Sequence, residues 1–97
     1  MLNVSNNSLT GSIQSQIGNL NNLKILDASN NNMTGVPAEI GQLQKLEILN
    51  LSNNNLTGLP NELVNLKTLN LSGNEYSTHD LDIIRNGLPS TTNIIID

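Results

Sequence analysis

The sequence predicts an α/β fold: a solenoid of short parallel strands, closed at its C-terminal end by a helix and one more strand. Three observations carry this expectation. A frame of apolar positions recurs along the chain, an asparagine recurs at one point of that frame, and the pattern breaks after residue 76. Self-similarity at a nearly fixed period outranks local propensity, because it defines the architecture as a whole.

The frame is Leu-x-x-Leu-x-Leu-x-x-Asn-x-Leu. It runs through Leu23, Leu26, Ala28, Asn31 and Met33, then Leu46, Leu49, Leu51, Asn54 and Leu56, then Leu66, Leu69, Leu71, Asn74 and Tyr76. A first copy starts part-way, at Leu2, Val4, Asn7 and Leu9, and the equivalent leucines 2, 26, 49 and 69 stand 24, 23 and 20 residues apart. The alternation Leu49-Asn50-Leu51 has period two, which turns the leucines to one side of a strand and Asn50 to the other. Each unit then turns and runs back through positions such as Ile40 and Leu43 in a short helical or irregular segment. Strands joined by such crossovers are parallel. One unit cannot bury its leucines alone, so neighbours must stack into a continuous core. Pro37 and Pro60 suit the start of the returning segment, where a missing N–H costs little.

These residues resemble the leucine-rich repeat family over residues 1–76. The segments LTGSIQSQIGNLNNL (9–23) and MTGVPAEIGQLQKL (33–46) look like the Leu-Thr-Gly-x-Ile-Pro subclass of plant receptors and some bacterial proteins, with Gln14 standing where that pattern has proline. The resemblance implies a right-handed solenoid with a short parallel β-sheet on its concave face and a helical or irregular convex side. It also implies a non-catalytic module that binds another protein on the concave face.

Two further segments follow from local physics. Asn7, Asn31, Asn54 and Asn74 fall where the chain leaves each strand. There the backbone has no ladder partner, and an amide side chain supplies both donors and an acceptor; we read them as a structural ladder. After Asn74 the stretch Ser77-Thr78-His79-Asp80 reads as a helix start, with a side-chain oxygen at the cap and acids in the first turn. Leu81, Ile84 and Leu88, with Ile83, form its apolar stripe, Gly87 offers a C-terminal cap, and Pro89 prevents continuation. Asn93-Ile94-Ile95-Ile96-Asp97 reads as a last strand. Residues 1–76 are thus expected to be about four repeats, the first incomplete and uncapped, and residues 77–97 a C-terminal cap that Asp97 keeps wet.

Composition narrows the function. The 97 residues contain no cysteine, and four Lys/Arg against eight Asp/Glu give a formal charge of −4 with 1% aromatic residues. Nucleic acid calls for a basic stripe and stacking rings, so it is not an expected partner. No apolar run reaches the length of a membrane span, and Met1 leads straight into repeat sequence without a signal peptide. The expectation is a cytoplasmic protein, or an extracellular one if the chain is part of a secreted repeat protein. Six Asn-x-Ser/Thr sequons fall out of the repeat frame itself and carry little weight.

Catalysis and metal binding have thin support. His79 is the sole histidine; a Ser-His-acid arrangement would need it beside a nucleophile from another strand. His79, Asp80, Asp82 and Glu75 could be drawn together as metal ligands, but acids in one first turn point apart and the helix dipole accounts for them. No enzyme activity and no cofactor are expected. The outward strand positions carry the binding expectation: Asn3 and Ser5, then Ile25, Asp27 and Ser29, then Ile48, Asn50 and Ser52, then Thr68, Asn70 and Ser72. Among them we single out Ile25, Asp27, Ile48, Asn50, Thr68 and Asn70, with Ile25 and Ile48 as exposed neighbours flanked by Lys24, Glu47 and Lys67. At the other end, the first strand Leu2-Asn3-Val4 leaves a naked edge, a template for a second chain. The expected outcome is a homodimer through that edge. A chain that is the C-terminal part of a longer repeat protein is the alternative.

Overall fold

Period-two leucines place a strand at the same point of each unit, and stacking then pairs the strands. The computed structural model describes residues 1–59 and 66–96. In chain order its strands are β1 (Leu2–Asn3), β2 (Thr10–Ser12), β3 (Ile25–Asp27), β4 (Asn32–Gly35), β5 (Ile48–Asn50), β6 (Thr68–Asn70) and β7 (Asn93–Ile95), with helix α1 (Thr78–Asn86) before β7. The main sheet has the order β1-β3-β5-β6-β7, parallel throughout, with Leu2, Leu26, Leu49, Leu69 and Ile94 in one register. Right-handed coils carry this sheet on the concave face.

The core lies behind the sheet. Leu26, Leu49 and Leu69 are at most 1% exposed, and Leu51, Leu56, Leu71, Met33 and Ile40 join them. Burying each such side chain contributes roughly 1.5–3 kcal/mol. Tyr76 takes the leucine position of its unit; its hydroxyl is buried without a partner among the described residues, and burial, then the charge of Asp80, raises its pKa.

The returning segments are 3-10 turns, Ser15–Asn19 and Ala38–Gln42. Gln14 and Pro37 occupy the same point before them, with φ/ψ of −69/149 and −73/151. Gln14 therefore adopts unaided the backbone that proline fixes. Pro60 and Asp97 lie outside the described residues.

One pairing is additional. Gly11 and Gly35 sit in a second parallel pair, β2 with β4, for which the repeat frame gives no expectation. The reason is proximity: the chain leaving each asparagine turn lies beside its predecessor one coil away, so Asn32 N–H reaches Leu9 C=O at 2.8 Å. Such pairing is non-local and has no signature in a single unit.

At the cap, Ser77 Oγ accepts the N–H of Asp80 at 3.1 Å, and Asp80 Oδ2 accepts the N–H of Ser77 at 3.2 Å, a reciprocal capping box. Ile84 is buried against the last repeat, whereas Ile83 is 52% exposed and drops out of the apolar stripe. Gly87 ends the helix at φ −87, so no left-handed residue is used there.

Left-handed backbone is used inside the repeats. Asn6, Asn30 and Asn53 have φ of 59, 58 and 57, and Gly73 has φ 71 at the equivalent point, each directly before the ladder asparagine. A Cβ at Gly73 would overlap Asn53 Oδ1 and crowd its Cα at 3.3 Å. Gly73→Ala should therefore lower stability by about 1–3 kcal/mol, while Gly87→Ala, whose Cβ meets nothing closer than 3.5 Å, should change it by less than about 0.5 kcal/mol; urea denaturation of both variants measures the contrast. Gln14→Pro should raise stability by about 0.4–1 kcal/mol, because φ already fits and Gln14 N–H bonds no described residue. A fall in urea midpoint would contradict this.

Candidate functional site

Parallel register stacks equivalent residues into rows across the concave face. Ile25, Ile48, Thr68 and Asn93 form one row, and Asn3, Asp27, Asn50, Asn70 and Ile95 form the next. Ile25, Asp27, Ile48, Asn50, Thr68 and Asn70 are thus contiguous on β3, β5 and β6. Ile48 is 38% exposed, with Ile25 half-buried beside it. Sequence reading left Asn93 and Ile95 out of the face. The cap strand extends both rows, and Ile95 stands 40% exposed at the end of the second. The three consecutive isoleucines 94–96 show no alternation, so only the pairing with β6 places Ile95 outward.

The serines correct an expectation. Ser29 and Ser52 are buried, and Ser5 and Ser72 are half-buried. Each turns back to the residue two positions earlier. Asp27 Oδ1 accepts the Ser29 N–H at 3.1 Å and its Oγ–H at 2.6 Å. Asn50 does the same for Ser52 at 3.1 and 2.8 Å, Asn70 for Ser72 at 3.1 and 2.8 Å, and Asn3 for Ser5 at 3.0 and 2.5 Å. These side-chain turns withdraw the hydroxyls from the face. They also fix the orientation of the amide row.

At the strand entrances Lys67 Nζ and Glu47 Oε1 pair at 3.0 Å. The hydrogen bond from Lys67, then its charge, holds the Glu47 carboxyl below the usual glutamate value, with Lys24 adding a smaller pull.

Behind the face, Asn31 Oδ1 accepts the N–H groups of Asn7 and Leu9, each at 3.2 Å, while its Nδ2 donates to Val4, Ala28 and Ser29 carbonyls. Asn54 repeats this with Met33 N–H and with Ala28, Leu51 and Ser52 carbonyls, and Asn74 with Leu56 N–H and with Leu51, Leu71 and Ser72 carbonyls. The amides therefore bond the backbone of their own coil and of the preceding one, not one another. Asn7 is exposed; its Nδ2 reaches Val4 and Ser5 carbonyls, and its Oδ1 has no partner among the described residues. Beside it, Leu2, Val4, Leu9, Ile13 and Ile17 line an apolar mouth of about 290 Å³.

His79 is exposed in the first turn of α1 and Asp80 is committed to the capping box, with Glu75 and Asp82 exposed. Among the described residues, no group of three His, Asp or Glu side chains is placed to hold a metal ion, and no helix is long and apolar enough to cross a membrane.

The leucine-rich repeat region family matches residues 1–86. The chain belongs to the leucine-rich repeat family. A solved leucine-rich repeat protein from Leptospira interrogans is similar to it, with 43% identity and a TM-score of 0.87 over 93% of this chain and 23% of that one. A plant peptide hormone receptor, RGFR1, solved in complex with RGF2, is also similar, with 29% identity and a TM-score of 0.61 over 99% of this chain and 20% of the receptor. This leucine-rich repeat chain thus spans about a fifth of the length of each. No curated protein matches it.

Two outcomes follow from these bonds. Asn54→Ala strands Met33 N–H and several carbonyls in a buried turn, and should cost about 2–4 kcal/mol in urea denaturation; a cost under about 1 kcal/mol would mean water replaces the amide. Because Glu47 titrates lower when folded, its contribution to stability is present above the usual glutamate value and is lost as pH falls through the folded value. Carboxyl NMR should find the Glu47 midpoint depressed, and Lys67→Gln should return it toward normal. No change on that substitution would mean the pair does not persist in solution.

Proposed function

We propose that the chain is a non-catalytic protein-interaction module that takes an extended peptide segment on its concave face. The observation that carries this reading is the Ile25–Ile48 pair, Ile48 exposed and Ile25 half-buried, set beside a polar row whose orientation the serines fix. An apolar anchor ringed by oriented polar groups is what a specific, modest-sized contact needs. The similarity to a receptor solved with RGF2 supports the same class of partner. The test is selection of peptides from a random library by the folded chain, followed by titration with Ile48→Ser. Binding near or tighter than about 100 μM, weakened at least about tenfold by the substitution, is the expected result. Selection that ignores Ile48→Ser, or none at all, sinks the reading.

Self-association is a second reading, supported by the first-unit end. There the apolar mouth, the outer edges of β1 and β2, and Asn7 Oδ1, which no described residue bonds, lie together. These are the groups that each inner coil buries against its neighbour. A second copy placed two-fold over Leu2, Asn3 and Val4 would cover them and close the assembly at two chains. Light scattering after size-exclusion chromatography should then give twice the 10.5 kDa chain mass, lost on Val4→Lys. A monomer at every concentration removes this reading, and leaves the end for a further coil of a longer chain.

A further inference from the structure

Four units carry the same side-chain turn, and three of them build it with asparagine. Asn3, Asn50 and Asn70 hold the following serine through Oδ1 alone, and Asp27 does so with the same two bonds. The turn uses one oxygen and requires no charge. Asp27 therefore carries something its structural task does not need: a second carboxylate oxygen, Oδ2, that no described residue bonds, and a charge that no described cation neutralises. Lys67 is engaged with Glu47 instead. In register on either side stand Asn3 and Asn50, uncharged amides whose Nδ2 groups make no bond among the described residues. Two residues back along β3 lies Ile25, paired with Ile48. At a rise of about 3.4 Å per residue, the charge and the apolar pair are separated by about 7 Å across the trough between the two rows.

We infer that β3 and β5 select an extended peptide in which a basic residue neighbours an aliphatic one, the Lys or Arg meeting Asp27 Oδ2 and the aliphatic side chain lying on Ile25 and Ile48. Successive side chains of an extended segment point to opposite sides, so an offset of one residue in the ligand reaches both rows. Asn50 and Asn70 then present Nδ2 donors to the ligand's carbonyl groups, already oriented by their serines, which lowers the ordering cost of binding. The carboxylate sets the choice between basic and neutral partners more than it sets overall affinity. This inference rests on the concave-face reading above.

Asp27→Asn isolates the charge, because asparagine already builds the turn in three other units. A positional octapeptide library is offered to the whole chain and to Asp27→Asn at low salt. The native chain should enrich Lys or Arg directly beside Leu, Ile or Val. In Asp27→Asn the basic preference should disappear, affinity for the best basic peptide should fall about fivefold to tenfold, and the aliphatic preference and thermal midpoint should be unchanged. A basic preference that survives Asp27→Asn overturns the inference. So does selection of aliphatic peptides without any basic residue, which leaves the concave-face reading standing if it depends on Ile48. Retention of no peptide overturns both.

Discussion

The structure depends on one interaction, the bond from an asparagine side chain to the backbone of the coil before it. Each coil must turn from the sheet into the interior, and a buried turn leaves amide and carbonyl groups that no strand can satisfy. Asn31, Asn54 and Asn74 satisfy them across the coil boundary. Leucines supply the bulk of the burial, but leucines alone would tolerate slippage between coils. The amide has both donor and acceptor at fixed places, so it sets the register in which Leu26, Leu49 and Leu69 meet.

Register then builds the exposed face. Strands of three residues present few outward positions each, and only their alignment makes rows of them. Because Asn6, Asn30, Asn53 and Gly73 all take left-handed backbone, each coil leaves its strand at the same point and in the same direction. The serines behind the face bond Asp27, Asn50 and Asn70 for the same reason. A repeated local geometry becomes a surface whose polar groups are held in place before any partner arrives. Variation within that surface is then informative: where three units agree on asparagine and one carries Asp27, structure does not explain the difference.

The two ends of the stack differ in how they meet water. At the C-terminal end α1, with its capping box, and β7 lay Ile84, Ile94 and Leu88 against the last repeat. At the first unit Leu9 is 43% exposed, and Asn7 lacks the contact that its equivalents make. Uncovered leucine beside free strand edges favours association with another coil, whichever chain provides it.

By itself the sequence determined the parallel solenoid, the strands of its main sheet, the ladder asparagines and the capping helix. These follow from periods of apolar residues and from short-range chemistry, such as Ser77 with Asp80. It did not yield the β2–β4 pair, because pairing between Asn32 and Leu9 links different coils and leaves no mark within either. Nor did it place the serines: Ser29 and Ser52 alternate like exposed residues, yet hydrogen bonding to Asp27 and Asn50 draws them inward. Ile83 stands next to Ile84 in sequence but about 100° away around the helix, so it faces water while Ile84 is buried. Ile95 joined the exposed face only once β7 was seen in register with β6. Periodicity fixes which side of an element is apolar; the packing of one coil on the next decides which polar groups remain for a partner.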